Sequence, residues 1–474
     1  MNIRYNFLMN FILTISNFLF PLITFPYVSR ILGPNGMGIS SFAISIISYF
    51  VILATLGSAT YGIRACSQVG ENKDELSKVT HEIIFINLIT MIISYLFLCF
   101  CVYLFDGLYE NKEAIAIASF MILLNVCSIE WFYRGIEKYT YITIVSLLFK
   151  LISLVSSFIF IQKSSDYFSF ILISVISLSG SGIINLFNVK KYINFRFYNN
   201  YNLKRHIKPM MTFFFMSLAI SVYTYTDSVL LGLFTNLDEV GFYNVAIRIK
   251  GILISIVTSL GVVLLPKLSL YIKKGMMNEF SRVLVLSLRF IVALSFPLVI
   301  FFIFFAKETI LLLSGEQYFN SIPLLQISLA AVIIVGITNI LGIQMLVPLG
   351  RENKLFVSVL CGAIINVVAN FLLIPLLSSI GAAISMVLAE FSILLVQIYF
   401  LKKYIFLFMK VNYIKVILSS IFSLGVASFF SSFILDNNFL LLLCSGSIFF
   451  IVYTITLFLL KERILVDVLK LELR

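Results

Sequence analysis

About fourteen apolar stretches of roughly 20 residues decide what this chain can fold into, because each is long enough to cross a hydrocarbon core of about 30 Å as a helix. They lie at approximately 7–30, 39–62, 80–105, 114–133, 141–162, 168–188, 209–234, 241–265, 283–306, 324–348, 355–376, 382–401, 414–434 and 439–460, each bound good to a few residues. Inside hydrocarbon every backbone polar group needs a partner from its own segment, so the predicted fold is all-α and integral to the membrane. Only 12% of the 474 residues are charged and 61% are hydrophobic. A conventional aqueous surface needs about twice that charge. At the start, Arg4 precedes an apolar run to about Val28 with no small-residue cleavage site, which reads as a retained first span.

The formal net charge is +12. In a soluble chain that excess would suggest nucleic acid, but here the basic residues occupy short loops, where they report topology instead. With the N-terminus placed inside, about 26 Lys and Arg fall in inner segments and about 3 (Lys112, Lys163, Lys307) in outer loops. Arg30 stands at an outer boundary. Both termini are therefore expected in the cytoplasm. Cys66, Cys99, Cys101, Cys127, Cys361 and Cys444 form no C-x-x-C pair, and His81 and His206 lie far apart in sequence. Neither a disulfide, a metal site nor a cofactor is expected.

The chain carries an internal repeat. Gly38-Ile-Ser-Ser-Phe-Ala-Ile-Ser-Ile46 and Gly241-Phe-Tyr-Asn-Val-Ala-Ile-Arg-Ile249 share Gly, Ala, Ile and Ile at equal offsets. Glu75-Leu-Ser-Lys-Val79 matches Glu279-Phe-Ser-Arg-Val283, and Arg64 corresponds to Lys267. Six spans per half give two parallel repeats, a transporter arrangement. The predicted division is a six-helix bundle over 1–188, a basic cytoplasmic linker over 189–208, a second six-helix bundle over 209–403, and helices 13 and 14 with a cytoplasmic tail over 404–474.

Ionisable residues inside spans cost roughly 2.5–3.5 kcal/mol at the bilayer centre and usually face a cavity or a partner. Lys150, Arg248, Lys250 and Arg289 are the cations so placed, and Asp227 and Glu390 the acids. Asp227 and Arg248 sit at similar depth, roughly 10 Å in, on adjacent antiparallel spans. They read either as a structural ion pair or as a cavity pair that exchanges partners with an anion or a coupling cation. Lys250 lies about 200° around the helix from Arg248 and can snorkel, as can Arg289. Arg30 and Arg64, at span ends, read first as anchors. Asn366 and Asn370, one turn apart, either line a polar cavity or bond across helices. The cationic balance suits an anionic cargo, and the fork of Arg suits phosphate.

Four segments carry a family resemblance. They are Pro26-Tyr-Val-Ser-Arg-Ile-Leu-Gly-Pro-Asn-Gly-Met-Gly38 with Leu56-Gly and Tyr61-Gly-Ile-Arg64; Glu130-Trp-Phe-Tyr-Arg-Gly-Ile-Glu137; Asp227 with Val240-Gly-Phe-Tyr-Asn-Val-Ala-Ile-Arg248; and Pro348-Leu-Gly-Arg351 with Asn366, Asn370, Pro375 and Gly381-Ala-Ala383. In this order and topology they resemble the polysaccharide-transporter branch of the MOP (multidrug/oligosaccharidyl-lipid/polysaccharide) exporter superfamily, the Wzx-type O-antigen and capsule repeat-unit flippases. The resemblance implies a V-shaped pair of bundles with a cationic cavity, in the bacterial cytoplasmic (inner) membrane. It implies an undecaprenyl-pyrophosphate-linked oligosaccharide as cargo, moved from the inner to the outer leaflet by alternating access. The substrate-binding candidates are then Arg30, Arg64, Lys150, Arg248, Lys250 and Arg289. Asp227 and Glu390 are candidates for H+ or Na+ coupling or for a charge pair, and Asn366 and Asn370 for the cavity lining. The polymerase and chain-length regulator of the same pathway are further partners. Spans 13 and 14 resemble the two extra helices of the related lipid II flippases.

Gly33-Pro-Asn-Gly-Met-Gly38 lacks the GK[ST] of a phosphate loop, so no ATPase motif supplies energy. The alternatives are a multidrug exporter of the same superfamily and a membrane polysaccharide polymerase. The cationic interior opposes organic cations as cargo, and no outer loop is large enough for a catalytic domain.

Overall fold

The computed structural model describes residues 3–70, 72–198, 200–404, 411, 413–433 and 437–460; for 3–8, 10, 11, 18, 260, 262 and 263 it describes the backbone only. Among these residues the regular structure is helical throughout. Twelve helices are long and apolar enough to cross a membrane. Two of them, Ile12–Val69 and Glu352–Phe400, span 58 and 49 residues, and each joins two of the spans read from sequence. The remaining positions of the predicted tail, 405–410, 412, 434–436 and 461–474, lie outside the described residues.

The chain divides into two compact units, Met1–Gly241 and Phe242–Arg474. The first unit holds α1 (Ile3–Thr55), α2 (Ser58–Val69), α3 (Lys73–Leu104), α4 (Asp106–Glu110), α5 (Lys112–Ser128), α6 (Glu130–Gly135), α7 (Tyr139–Phe160), α8 (Tyr167–Ser179), α9 (Ser181–Asn188) and α10 (Lys204–Phe234). Its organising element is α1, which packs on α3, α5, α7 and α10. In the gap between the first two predicted spans, 31–38, the helix resumes at once. Gly33 alone leaves helical geometry, at φ 69°. Glycine tolerates that angle, and the fixed φ of Pro34 suits the first turn of the renewed helix.

Two of the segments that carry the family resemblance meet at one end of this unit. Ile129, at φ 36°, breaks α5 from α6, which turns Trp131, Phe132 and Tyr133 into a core with Leu13, Ile83, Ile142 and Met210. Helix α2 lies against α6 so closely that a β-carbon on Gly62 would overlap the Trp131 ring, and one on Gly135 would press on Cys66 and Ile63. A Gly62→Ala substitution must displace that ring, at a cost of about 1–3 kcal/mol. Trp131 is the chain's single tryptophan, so its emission should shift to the red in this variant; an unchanged spectrum would show the contact to be looser.

The repeat glycines also meet. Helix α11 (Leu237–Lys273) begins in the first unit. A β-carbon on Gly38 would strike the Leu237 carbonyl, and one on Gly241 the Pro34 carbonyl. Two hairpin ends thus approach backbone to backbone, which only glycine permits.

The second unit continues α11 through α12 (Met277–Phe304), α13 (Ala306–Ser314), α14 (Ser321–Asn339), α15 (Glu352–Phe400), α16 (Tyr413–Ser431) and α17 (Asn438–Leu459). A π-helical turn, Ile340–Leu346, extends α14. In α15, Ser378 at φ 50° forms the joint between two spans. Helices α16 and α17 pack on each other and on α12, with Phe301, Phe305, Ala427 and Phe449 as their buried cluster.

Candidate functional site

Lys150 is the most unusual charge in the first unit. It lies near the middle of α7 and is 8% exposed. Its Nζ donates to Ser16 Oγ at 2.6 Å and to Asn17 Oδ1 at 2.5 Å, both on α1. Ser16 donates its own proton to the Leu13 carbonyl at 2.6 Å, which leaves its oxygen free to accept. Both ammonium partners are therefore neutral. An acid whose field reaches Lys150 is Glu130, which is joined to Arg134 at 2.7 Å on the short helix α6. An ammonium carries three donors, so it keeps capacity for an anion beyond Ser16 and Asn17.

The other candidates divide between the two units. In the first, Asp227 on α10 is buried, and its neighbour Thr226 bonds the Tyr49 hydroxyl of α1 at 2.7 Å. Arg30 and Arg64 are exposed. Lys250 and Glu390 are buried in the second unit, and Lys250 Nζ points to Met386 Sδ at 3.1 Å. Arg248 and Arg289 are half-buried in the same unit. Asn366 and Asn370 are fully buried on α15, with Asn370 Nδ2 donating to Asn366 Oδ1 at 3.2 Å. The structure thus brings Asn366 to Asn370 and gives Lys150 two oxygen partners from α1.

Sequence reasoning passed over a further buried acid. Glu82, near the start of α3, has no exposed surface. Its Oε1 accepts from the Asn202 amide at 2.6 Å, and its Oε2 from Arg205 Nε at 3.0 Å and Nη2 at 2.6 Å. The same Oε2 accepts from His206 Nε2 at 2.7 Å, and His206 Nδ1 bonds the Tyr61 hydroxyl at 2.7 Å. One helical turn earlier, Ser77 Oγ accepts from the Asn194 amide at 2.9 Å. Asp74 accepts from Asn194, Tyr198 and Arg196 at 3.2, 3.1 and 2.8 Å. The connection between α9 and α10 is therefore strapped along α3. A carboxylate so saturated with donors, an Arg among them, serves as an anchor.

A many-spanning helical membrane protein that buries two lysines, Lys150 and Lys250, within its apolar helices is the class this build defines. The family model "Polysaccharide biosynthesis protein" matches residues 3–272, and the chain belongs to that family. It is 25% identical over 396 residues to a protein of Escherichia coli (strain K12) named as an O-antigen transporter, covering 79% of this chain and 91% of the relative. Among solved structures, the lipid II flippase MurJ in an inward closed conformation aligns with a TM-score of 0.74 at 17% identity, over 95% of this chain and 98% of that one. An inward-facing multidrug resistance MATE transporter of the MOP superfamily aligns at 0.64 with 14% identity, over 83% and 96%. The fold is thus the all-α fold of the MOP superfamily. These relatives are named for transport rather than for a catalysed reaction.

Proposed function

We propose that this chain moves a lipid-linked oligosaccharide across the membrane. The finer reading is an undecaprenyl-pyrophosphate-linked repeat unit carried from the inner to the outer leaflet of the cytoplasmic membrane by alternating access, with H+ or Na+ coupling. Lys150 carries the reading: a buried ammonium whose hydrogen-bond partners are neutral oxygens suits a diphosphate that arrives with the cargo. Family membership and the flippase-like fold support the same cargo class. A diphosphate cannot enter hydrocarbon unaided, and charge-assisted bonds from Lys or Arg replace part of its lost hydration. Lys150 would make such a bond; the lipid tail needs no such path. The grouping of the spans into bundles at 1–188 and 209–403 belongs to this proposal.

Proteoliposomes holding the chain and a fluorescent lipid-diphosphate oligosaccharide test it. Label in one leaflet should become accessible from the other, and faster under an imposed proton or sodium gradient. Asp227→Asn or Glu390→Gln should remove the gradient response while slow equilibration persists. Label that never changes leaflet would overturn the proposal, and a rate indifferent to both gradients would remove the coupling.

A further inference from the structure

We propose that the strap between α9 and α10 is a lipid-reading surface whose occupant is the anionic phospholipid of the adjacent leaflet. The segment 194–198 runs along α3 outside any helix, and its residues alternate between two sides. Asn194, Arg196 and Tyr198 take the inner side and hold Asp74. Phe195 and Phe197 take the other side and are 55% and 85% exposed. Lys190, Lys191, Lys204 and Lys208 flank them and are all exposed. Lys190 and Arg196 also line an open recess of about 770 Å³ beside Phe195.

Position decides what such a surface meets. Segment 164–191 and helix α10 both belong to candidate membrane spans, so the strap between them lies at a membrane face. Bare phenylalanines there avoid water by entering the headgroup layer, while neighbouring lysines meet phosphates. Asp74, the acid facing the strap, is already engaged by three of its residues, and Glu82 is sealed beneath it. The outward charge of the strap is therefore positive, and an anionic lipid complements it. The same contact would hold α3 and the start of α10 at constant depth.

The test uses the full chain with Phe197→Trp, reconstituted in vesicles of zwitterionic lipid with or without anionic phospholipid, the buried Trp131 signal being subtracted. The new tryptophan should emit to the blue of an aqueous indole, escape iodide and be quenched by brominated lipid, more strongly when the anionic lipid is brominated. Changing the four lysines to Gln should cut that anionic preference by about fivefold per cation removed. Iodide trapped inside the vesicles or added outside locates the face, independently of any transport. Emission that iodide quenches and brominated lipid leaves unchanged, in this variant and in Phe195→Trp, would overturn the proposal. So would equal quenching by both brominated lipids.

Discussion

Lys150→Met should reach the membrane in parental amounts and yet lose about ten- to hundredfold in translocation, the effect of removing one charge-assisted bond of roughly 1.5–3 kcal/mol. The two readouts would part under the proposed role, because an ammonium that serves cargo adds nothing to the stability of its apolar surroundings. At mid-span depth an ammonium costs roughly 2.5–3.5 kcal/mol on insertion, a cost that methionine of similar length avoids. The partners left behind are cheap to strand, since Ser16 still donates to the Leu13 carbonyl and Asn17 is exposed. Lys150→Arg keeps the charge and should keep part of the activity. Surface-glycan assembly set against protein level in the membrane separates the cases. Undiminished assembly in the methionine variant, or a fall in level that accounts for the whole loss, would remove Lys150 from the cargo path.

Glu82→Ala should be markedly damaging to stability, at about 1–3 kcal/mol, because it strands the buried His206 imidazole and removes the carboxylate that holds the Asn202 amide, while the partly exposed Arg205 regains water. Glu82 has no exposed surface and accepts from Asn202, Arg205 and His206 at 2.6–3.0 Å. Glu82→Gln retains an acceptor for the Asn202 amide but sets an amide group against Arg205, so its loss should be intermediate. Thermal unfolding of the purified protein orders the three chains. Hydrogen exchange at the Asn194 and Asn202 amides should rise in the same order, since those amides hold the strap. An alanine variant as stable as the parent would show that the network is incidental.

The spans were legible because hydropathy over 20 residues is a local property, and the helices fall where the apolar stretches lie. Lys150, Lys250, Asp227 and Glu390 stand out in sequence by the same counting, as charges well inside apolar runs, and all four side chains are buried in the fold. What escaped is what depends on partners. Asn17 stands 133 residues from Lys150, and Arg205 stands 123 from Glu82. Glu82 sits close enough to a span end to pass for a boundary residue, although an acid one turn into an apolar run, matched by Arg205 and His206 at the head of a later span, was the available signal. The joints at Gly33 and Ser378 fall in the gaps read between spans, but hydropathy does not reveal that one residue of positive φ does the work of a loop.

The meeting of Gly38 with Leu237, and of Gly241 with Pro34, has a mechanical meaning. Most helix contacts mesh like gear teeth, and separating them requires rotamers to unlock. Here main chain faces main chain, so a methyl group at either glycine would wedge the two turns apart, and the fit rests on hydrogen alone at both positions.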